Sequence, residues 1–179
     1  MPHRVLIAAV ANLVPDPDTT CSSRVDHNRG CPMYRLIYAS TAADSFRLSD
    51  VHSIVATSER NNRPRHLTGM LVFSSRYFLQ WLEGPREAVN ERYLRICQDP
   101  RHHSPVMLAY EPIIERQFTD WAMGYLGEGV LNRQVLTRYF ADGQFQPYLL
   151  SGPAAALLMP KLAELAYAIE QKRLAPATV

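Results

Sequence analysis

The sequence has no apolar run that approaches the ~20 residues of a membrane-spanning helix. Its formal net charge of +2 is too small to argue for a nucleic-acid or membrane surface. Its three cysteines, Cys21, Cys31 and Cys97, form no CxxC pair and no metal-like spacing. A glycine-rich phosphate loop, an HExxH motif and a GxSxG elbow are also missing. We therefore expect a protein of the reducing cytoplasm, without a metal and without direct binding of nucleic acid or membrane.

The chain of 179 residues is long enough for one domain with appendages. Hydrophobic residues make up 47% and charged residues 20%, which is ordinary for a globular protein. Residues 1–32 stand apart because a short apolar stretch precedes a polar, turn-rich run. Two interpretations stay open for this N-terminal extension: a disordered tail, or an upstream start before a functional chain that begins at Met33. We favour the second, because the first clean strand pattern follows Met33 directly.

The stretch 66–84, HLTGMLVFSSRYFLQWLEG, predicts a β-hairpin in the middle of a sheet. Alternation places Phe78 and Gln80 on one face of its second strand, and Leu79 and Trp81 on the other. Both faces are mostly apolar, so we expect layers on both sides. The amide of Gln80 must then find partners, since an unsatisfied buried polar group costs about 1–3 kcal/mol. Those partners are neighbouring backbone groups or a bound ligand.

Around this hairpin the periodicities predict the element order βαββαββ. Strand 34–40 comes first, and a helix capped by Ser49 runs to about Asn62. A second helix follows Gly84–Pro85, with Cys97 as a small buried hydrophobe on it. Strand 106–114 follows, and residues 118–126 hold a last short strand around Trp121 and Met123. The order indicates an α+β protein with a ferredoxin-like βαββαββ sandwich over residues 33–127.

Residues 128–179 are predicted to be helical and to cap the sandwich. Asn132 can cap a short helix, and a longer helix starts near Pro153, is interrupted by Pro160 and runs to about Arg173. We expect these C-terminal capping helices to cover the sheet face to which Trp81 points, or to pair with another copy of the chain.

Five motifs occur in order along the chain: YRLIYAS, TSERNNRPRHLTGMLVF, FLQWLEGPREAV, DPRHHSPV and ERQFTDWAMG. Each is weak alone, but together and in register they closely resemble the BLUF family of blue-light sensors that use FAD. The resemblance spans about residues 33–127 and is that of a short, stand-alone member. The histidines at 52, 66, 102 and 103 are scattered over a helix and loops, so a metal site is not expected among them.

The resemblance implies roles for individual residues. The photoactive pair is Tyr38 and Gln80, and the signal relay is the pair Trp121 and Met123 of the last strand. Whether Trp121 or Met123 enters the flavin pocket stays open. The residues implied to bind FAD, from the ring to the phosphate end, are Tyr38, Ile54, Ser58, Asn61, Asn62, Arg65, Gln80, Ile96, Asp99, Arg101 and His102.

These residue types suit the implied task. Apolar Ile54 and Ile96 can wall a flat ring, and the amide of Asn62 can match the carbonyl and N–H edge of a flavin. Arg101 can supply a cation for the pyrophosphate. Simpler interpretations remain for each: Tyr38 as a core tyrosine, Asn62 as a helix end, the tryptophans as packing anchors and residues 101–103 as a solvated loop.

The resemblance thus implies a reversible photoreceptor without enzymatic turnover, in which light drives electron and proton transfer from Tyr38 and rearranges the hydrogen bonds of Gln80. The signal would pass through the C-terminal helices to a protein partner, and the protein would form homo-oligomers. Two other classes stay open. One is a flavin-free ferredoxin-like interaction module, and the other a flavin-dependent oxidoreductase, for which no acid–base pair is evident.

Overall fold

A computed structural model of the chain describes residues 32–119, 121–127, 131 and 133–174. The predicted N-terminal extension up to residue 31 and the predicted Asn132 cap lie outside these residues. The strands are β1 (Met33–Ala42), β2 (Thr68–Ser74), β3 (Tyr77–Pro85), β4 (His102–Ile113) and β5 (Gly124–Leu126). The helices are α1 (Leu48–Asn62), α2 (Arg86–Cys97), α3 (Arg133–Leu136) and α4 (Gly152–Leu174).

The five strands form one sheet in the order β4-β1-β3-β2-β5. β1 pairs antiparallel with β3 and with β4, and β2 and β3 form the predicted antiparallel hairpin. β5 pairs with β2 in parallel. The predicted βαββαββ order and the α+β, ferredoxin-like class are confirmed. Each crossover helix carries the chain past one strand: α1 connects β1 to β2 across β3, and α2 connects β3 to β4 across β1, so β1 and β3 lie side by side in the interior of the sheet.

Two hydrophobic layers sandwich the sheet, as the two apolar faces of β3 predict. One layer joins Leu79 and Trp81 of β3 to Leu158, Met159 and other apolar residues of α4. The opposite layer joins the other face of the sheet to α1 and α2, through residues such as Leu82, Val51 and Val89. The C-terminal helix α4 therefore covers the face to which Trp81 points, and α1 and α2 cover the face that carries Gln80.

Several predicted element bounds differ from the structure. α1 begins at Leu48 with Arg47 as its N-cap rather than Ser49, because the Asp50 carboxylate accepts the backbone N–H of Arg47 at 2.8 Å. β4 starts four residues earlier than predicted, at His102. β5 has only three residues, because side chains of the neighbouring elements, rather than strand pairing, bind the segment before Gly124.

Two predictions about individual residues were wrong. Cys97 is exposed, since it is the last residue of α2 and the packed face of that helix is set by Val89. Pro160 does not interrupt α4, which is continuous across it. A proline inside a helix costs about 3 kcal/mol. The fully buried side chains of Leu158, Met159 and Leu162 offset that cost, at about 1.5–3 kcal/mol each.

Among the helices of the described residues, none combines the length and the apolar character that a bilayer crossing requires.

Candidate functional site

Tyr38 and Gln80 face each other across the central strands of the sheet. They are direct cross-strand partners in the β1–β3 register, so their side chains leave the same face of the sheet. The Tyr38 hydroxyl donates to Oε1 of Gln80 at 2.5 Å, and both side chains are buried. Two register shifts between β1 and β4, at Ile37/Tyr38 and at Ala39/Thr41, flank the tyrosine. Such irregularities redirect a side chain without breaking the sheet.

Burial sets the protonation state of this phenol. Loss of solvation raises the pKa of Tyr38 well above its ordinary range, and the nearby Cys97, Tyr93 and Asp99 raise it further. Tyr38 is therefore a neutral hydrogen-bond donor at every physiological pH. Its ring packs edge-on against Tyr93, with 5.3 Å between centroids.

Met123, rather than Trp121, contacts the glutamine. The Gln80 Nε2 group donates to the sulfur of Met123 at 3.5 Å, and Met123 is buried among the residues between the sheet and α1. Trp121 lies on the other side of the sheet, stacked on Phe118 at 6.3 Å and 6.5 Å from the ring of Tyr167 on α4. Thus Gln80 has a strong partner for its oxygen and a weak acceptor for its amide nitrogen.

A cleft opens between α1 and α2 above these two residues. It holds a cavity of about 140 Å³. Its walls carry nine of the eleven predicted FAD-binding residues: Tyr38, Ile54, Ser58, Asn61, Gln80, Ile96, Asp99, Arg101 and His102. The structure therefore brings most of the predicted site together in one cavity.

The turn between α2 and β4 is held by a carboxylate–guanidinium pair. The carboxylate of Asp99 accepts two hydrogen bonds from Arg101, one from Nε to Oδ1 at 2.8 Å and one from Nη2 to Oδ2 at 2.5 Å. The bond from Arg101 lowers the pKa of Asp99, and the bond to Asp99 raises the pKa of Arg101. His102 donates from Nε2 to the Ile96 carbonyl at 2.8 Å, and its Nδ1 is buried without a partner among the described residues.

Two predicted binding residues are not on the cleft wall. Asn62 is fully buried at the end of α1, where its Nδ2 donates to the Ala122 carbonyl at 2.8 Å and its Oδ1 has no partner among the described residues. Arg65 forms an ion pair with Glu91 of α2. The neighbouring Asn61 does line the cleft.

Six further residues line the cleft that the motifs did not indicate: Ser40, Thr57, Leu71, Phe78, Arg92 and Arg95. Helical spacing was the available signal for Arg92, since it lies four residues before Ile96 on α2 and so shares its face. Strand alternation was the signal for Ser40 and Phe78, which lie two residues from Tyr38 and Gln80.

Known proteins with similar sequences are light-regulated. The chain is 39% identical over 83 residues to the blue light- and temperature-regulated antirepressor BluF of Escherichia coli (strain K12), which is 46% of this chain and 21% of that protein. It is 36% identical over 97 residues to the photoactivated adenylate cyclase subunit beta of Euglena gracilis, which is 54% of this chain and 11% of that protein. The chain thus matches only a small part of the length of these relatives.

Two solved structures match most of their own length. The photo-activated state of BlsA superposes with a TM-score of 0.65 and 28% identity, over 73% of this chain and 94% of that one. The dark-state structure of BlrB, a BLUF protein, gives a TM-score of 0.61 and 28% identity, over 76% of this chain and 97% of that one. Residues 33–124, just over half of the chain, match the family described as BLUF, sensors of blue-light using FAD. The predicted resemblance is confirmed, and the chain belongs to the BLUF family.

Proposed function

We propose that this protein is a reversible blue-light photoreceptor that holds FAD noncovalently in the cleft between α1 and α2. The observation that carries the proposal is the buried chain of contacts from the Tyr38 hydroxyl through the Gln80 amide to the Met123 sulfur, at the wall of that cleft. It joins a redox-capable phenol to an amide with two inequivalent ends, as a light-driven hydrogen-bond switch requires.

The polar atoms of the cleft suit a flavin nucleotide. Buried atoms without a partner among the described residues include Ser40 Oγ and Arg92 Nε on the cleft wall, and Asn62 Oδ1 beside it. Buried polar groups normally find partners, so these atoms favour a ligand with both acceptors and donors. Ile54 and Ile96 supply apolar walls for a flat ring.

When bound, FAD supplies a ring that absorbs blue light and accepts an electron in its excited state. Tyr38 is the electron and proton donor in this proposal. Because burial raises its pKa, the phenol does not release a proton alone at neutral pH. It gives up its proton only together with an electron, both pass to the bound ring on illumination, and both return to Tyr38 afterwards, so that no net oxidation remains.

Gln80 is the switching element. In the dark the phenol O–H fixes the amide, because only Oε1 can accept from it. Once Tyr38 has lost its proton, its oxygen is an acceptor and Oε1 has no donor. Turning or tautomerising the amide restores a donor–acceptor match, and the opposite end of the amide then presents a different group to the cleft without movement of the backbone.

Light-minus-dark absorption spectra of the purified protein test this proposal. We expect a reversible red shift of the flavin bands in the wild type, and its loss in Tyr38→Phe and in Gln80→Ala. Tyr148→Phe is the matched control, since its hydroxyl binds Thr41 Oγ1 at 2.9 Å and the Ser104 carbonyl at 2.8 Å, away from Gln80. A normal photocycle in either site variant refutes the assigned roles. A colourless protein that cannot be reconstituted with FAD refutes the function.

For the output, we propose that Met123 and Trp121 relay the change to α4, and that α4 acts on a protein partner or on a second copy of the chain in the cytoplasm. The contacts of Met123 with Gln80 and of Trp121 with Tyr167 support this route. We propose no enzymatic turnover. Hydrogen exchange of α4 and light scattering, each in darkness and in light, test the relay. Identical values in both conditions count against it.

A further inference from the structure

The cleft carries three arginines, but two of them are already paired. Arg101 is held by Asp99 through both Nε and Nη2. Arg95 donates from Nη2 to Glu91 Oε1 at 2.7 Å. Each of these positive charges is therefore balanced by a carboxylate on the same helix or turn.

Arg92 has no such carboxylate. None of the ion pairs among the described residues includes it, and its Nε is buried without a hydrogen-bond partner. The nearest acidic group along α2, Glu91, is occupied by Arg65 and Arg95. Loss of solvation, followed by repulsion from Arg65 and Arg95, lowers the pKa of Arg92. A guanidinium remains charged in proteins, so this one is a half-buried cation that no carboxylate of the described residues binds directly.

Such a cation favours an anionic ligand. Removing a charge from water is costly unless an opposite charge and hydrogen bonds replace the solvent. A guanidinium matches the geometry of phosphate oxygens better than any other side chain. Arg92 also lies one helical turn before Ile96 on the face of α2 that lines the cleft, so its side chain and the apolar wall belong to one cavity.

We propose that Arg92 binds the phosphate portion of the flavin, and that it thereby selects phosphorylated flavins, FAD or FMN, over riboflavin. This inference rests on the proposed function. It assigns the phosphate to a residue that the motifs did not indicate, rather than to Arg101 alone, whose guanidinium is already bidentate to Asp99.

The test is the affinity of flavin-free protein for riboflavin, FMN and FAD, measured by quenching of flavin fluorescence. We expect the wild type to bind FMN and FAD more tightly than riboflavin. In Arg92→Gln the affinity for FMN and FAD should fall by about 10- to 100-fold, the range of a charge-assisted hydrogen bond, while riboflavin binding changes less than about threefold.

Arg60→Gln is the matched control, because it removes the same charge from an exposed position of α1 and should preserve the preference. Arg92→Lys keeps the charge without the fork of donors, so its preference should lie between those of the wild type and Arg92→Gln. This variant also serves if Arg92→Gln does not fold. An equal loss for all three flavins, or no loss for any, overturns the role of Arg92. Absence of flavin binding by the wild type overturns the proposed function itself.

Discussion

The hydrogen bond between Tyr38 and Gln80 should make these residues strongly coupled in stability, and a double-mutant cycle measures that coupling. Tyr38→Phe removes one oxygen from a side chain that is 3% exposed and leaves Gln80 Oε1 buried without a donor. An unsatisfied buried polar group costs about 1–3 kcal/mol. Gln80→Leu, of similar shape, leaves the Tyr38 hydroxyl buried without an acceptor. We expect it to lower the unfolding free energy by a similar amount.

The double variant removes both polar partners at once. Replacing a buried hydrogen-bonded pair by apolar groups of the same shape is nearly neutral. We therefore expect the double variant to lose no more than about 1 kcal/mol, so that its cost falls at least about 1 kcal/mol short of the summed single costs of about 2–6 kcal/mol. Urea denaturation of the flavin-free protein measures all four forms, because bound flavin would add its own stabilisation.

The control for this cycle is again Tyr148→Phe. Its hydroxyl binds Thr41 and the Ser104 carbonyl where water has access, so its loss should cost less than about 1 kcal/mol and should not couple to Gln80. If the cost of the double variant equals the sum of the two single costs, the Tyr38–Gln80 bond does not contribute to the folded state. The switch proposed above would then lose its physical basis.

Three further predictions concern the frame of the site. Glu83 is 1% exposed and its carboxylate accepts the backbone N–H groups of Gln117 and Phe118, so Glu83→Gln should cost about 1.5–3 kcal/mol in urea denaturation. Because Arg101 lowers the pKa of Asp99, the stability from this pair is present above the pKa of an unfolded aspartate, about 4, and is lost as the pH falls through the lower folded value. The unfolding free energy of Asp99→Asn should therefore fall less steeply with decreasing pH in acid than that of the wild type. Leu158→Ala, at a fully buried position, should lower the unfolding free energy by about 2–5 kcal/mol in thermal or urea unfolding. Leu157→Ala, at the exposed neighbouring position, should change it by less than about 0.5 kcal/mol.

Sequence patterns predicted those parts of the fold that repeat with a regular period. The alternation along β3 placed Gln80 on one face and Trp81 on the other, and the structure has α1 and α2 over the first and α4 over the second. The same pattern required a partner for the Gln80 amide, and a cross-strand tyrosine provides it. A strand fixes its side-chain directions over a few residues, so local sequence was sufficient.

What the patterns missed depends on contacts between distant parts of the chain. Arg65, which the resemblance assigned to the flavin, instead pairs with Glu91, 26 residues further along the chain, and no spacing rule indicates that pair. The segment before β5 has no period, because it is held by Glu83 and Asn62 rather than by strand pairing. The short last strand therefore lies at Gly124–Leu126, after Trp121 and Met123 rather than around them.

That segment is also the route that we propose for a change at the Gln80 amide to reach the far side of the sheet. Met123 contacts Gln80 on the face of α1, and Trp121, two residues earlier, lies beside Tyr167 of α4 on the other face. This segment contacts β2, where the Gly69 N–H donates to the Trp121 carbonyl at 3.1 Å. A side chain at Gly124 would meet the Trp121 ring at 2.3 Å, so the ring packs directly on the backbone of β5. Since close-packed side chains transmit displacement rather than absorb it, losing the Met123 contact should displace Trp121 before it disturbs the central strands.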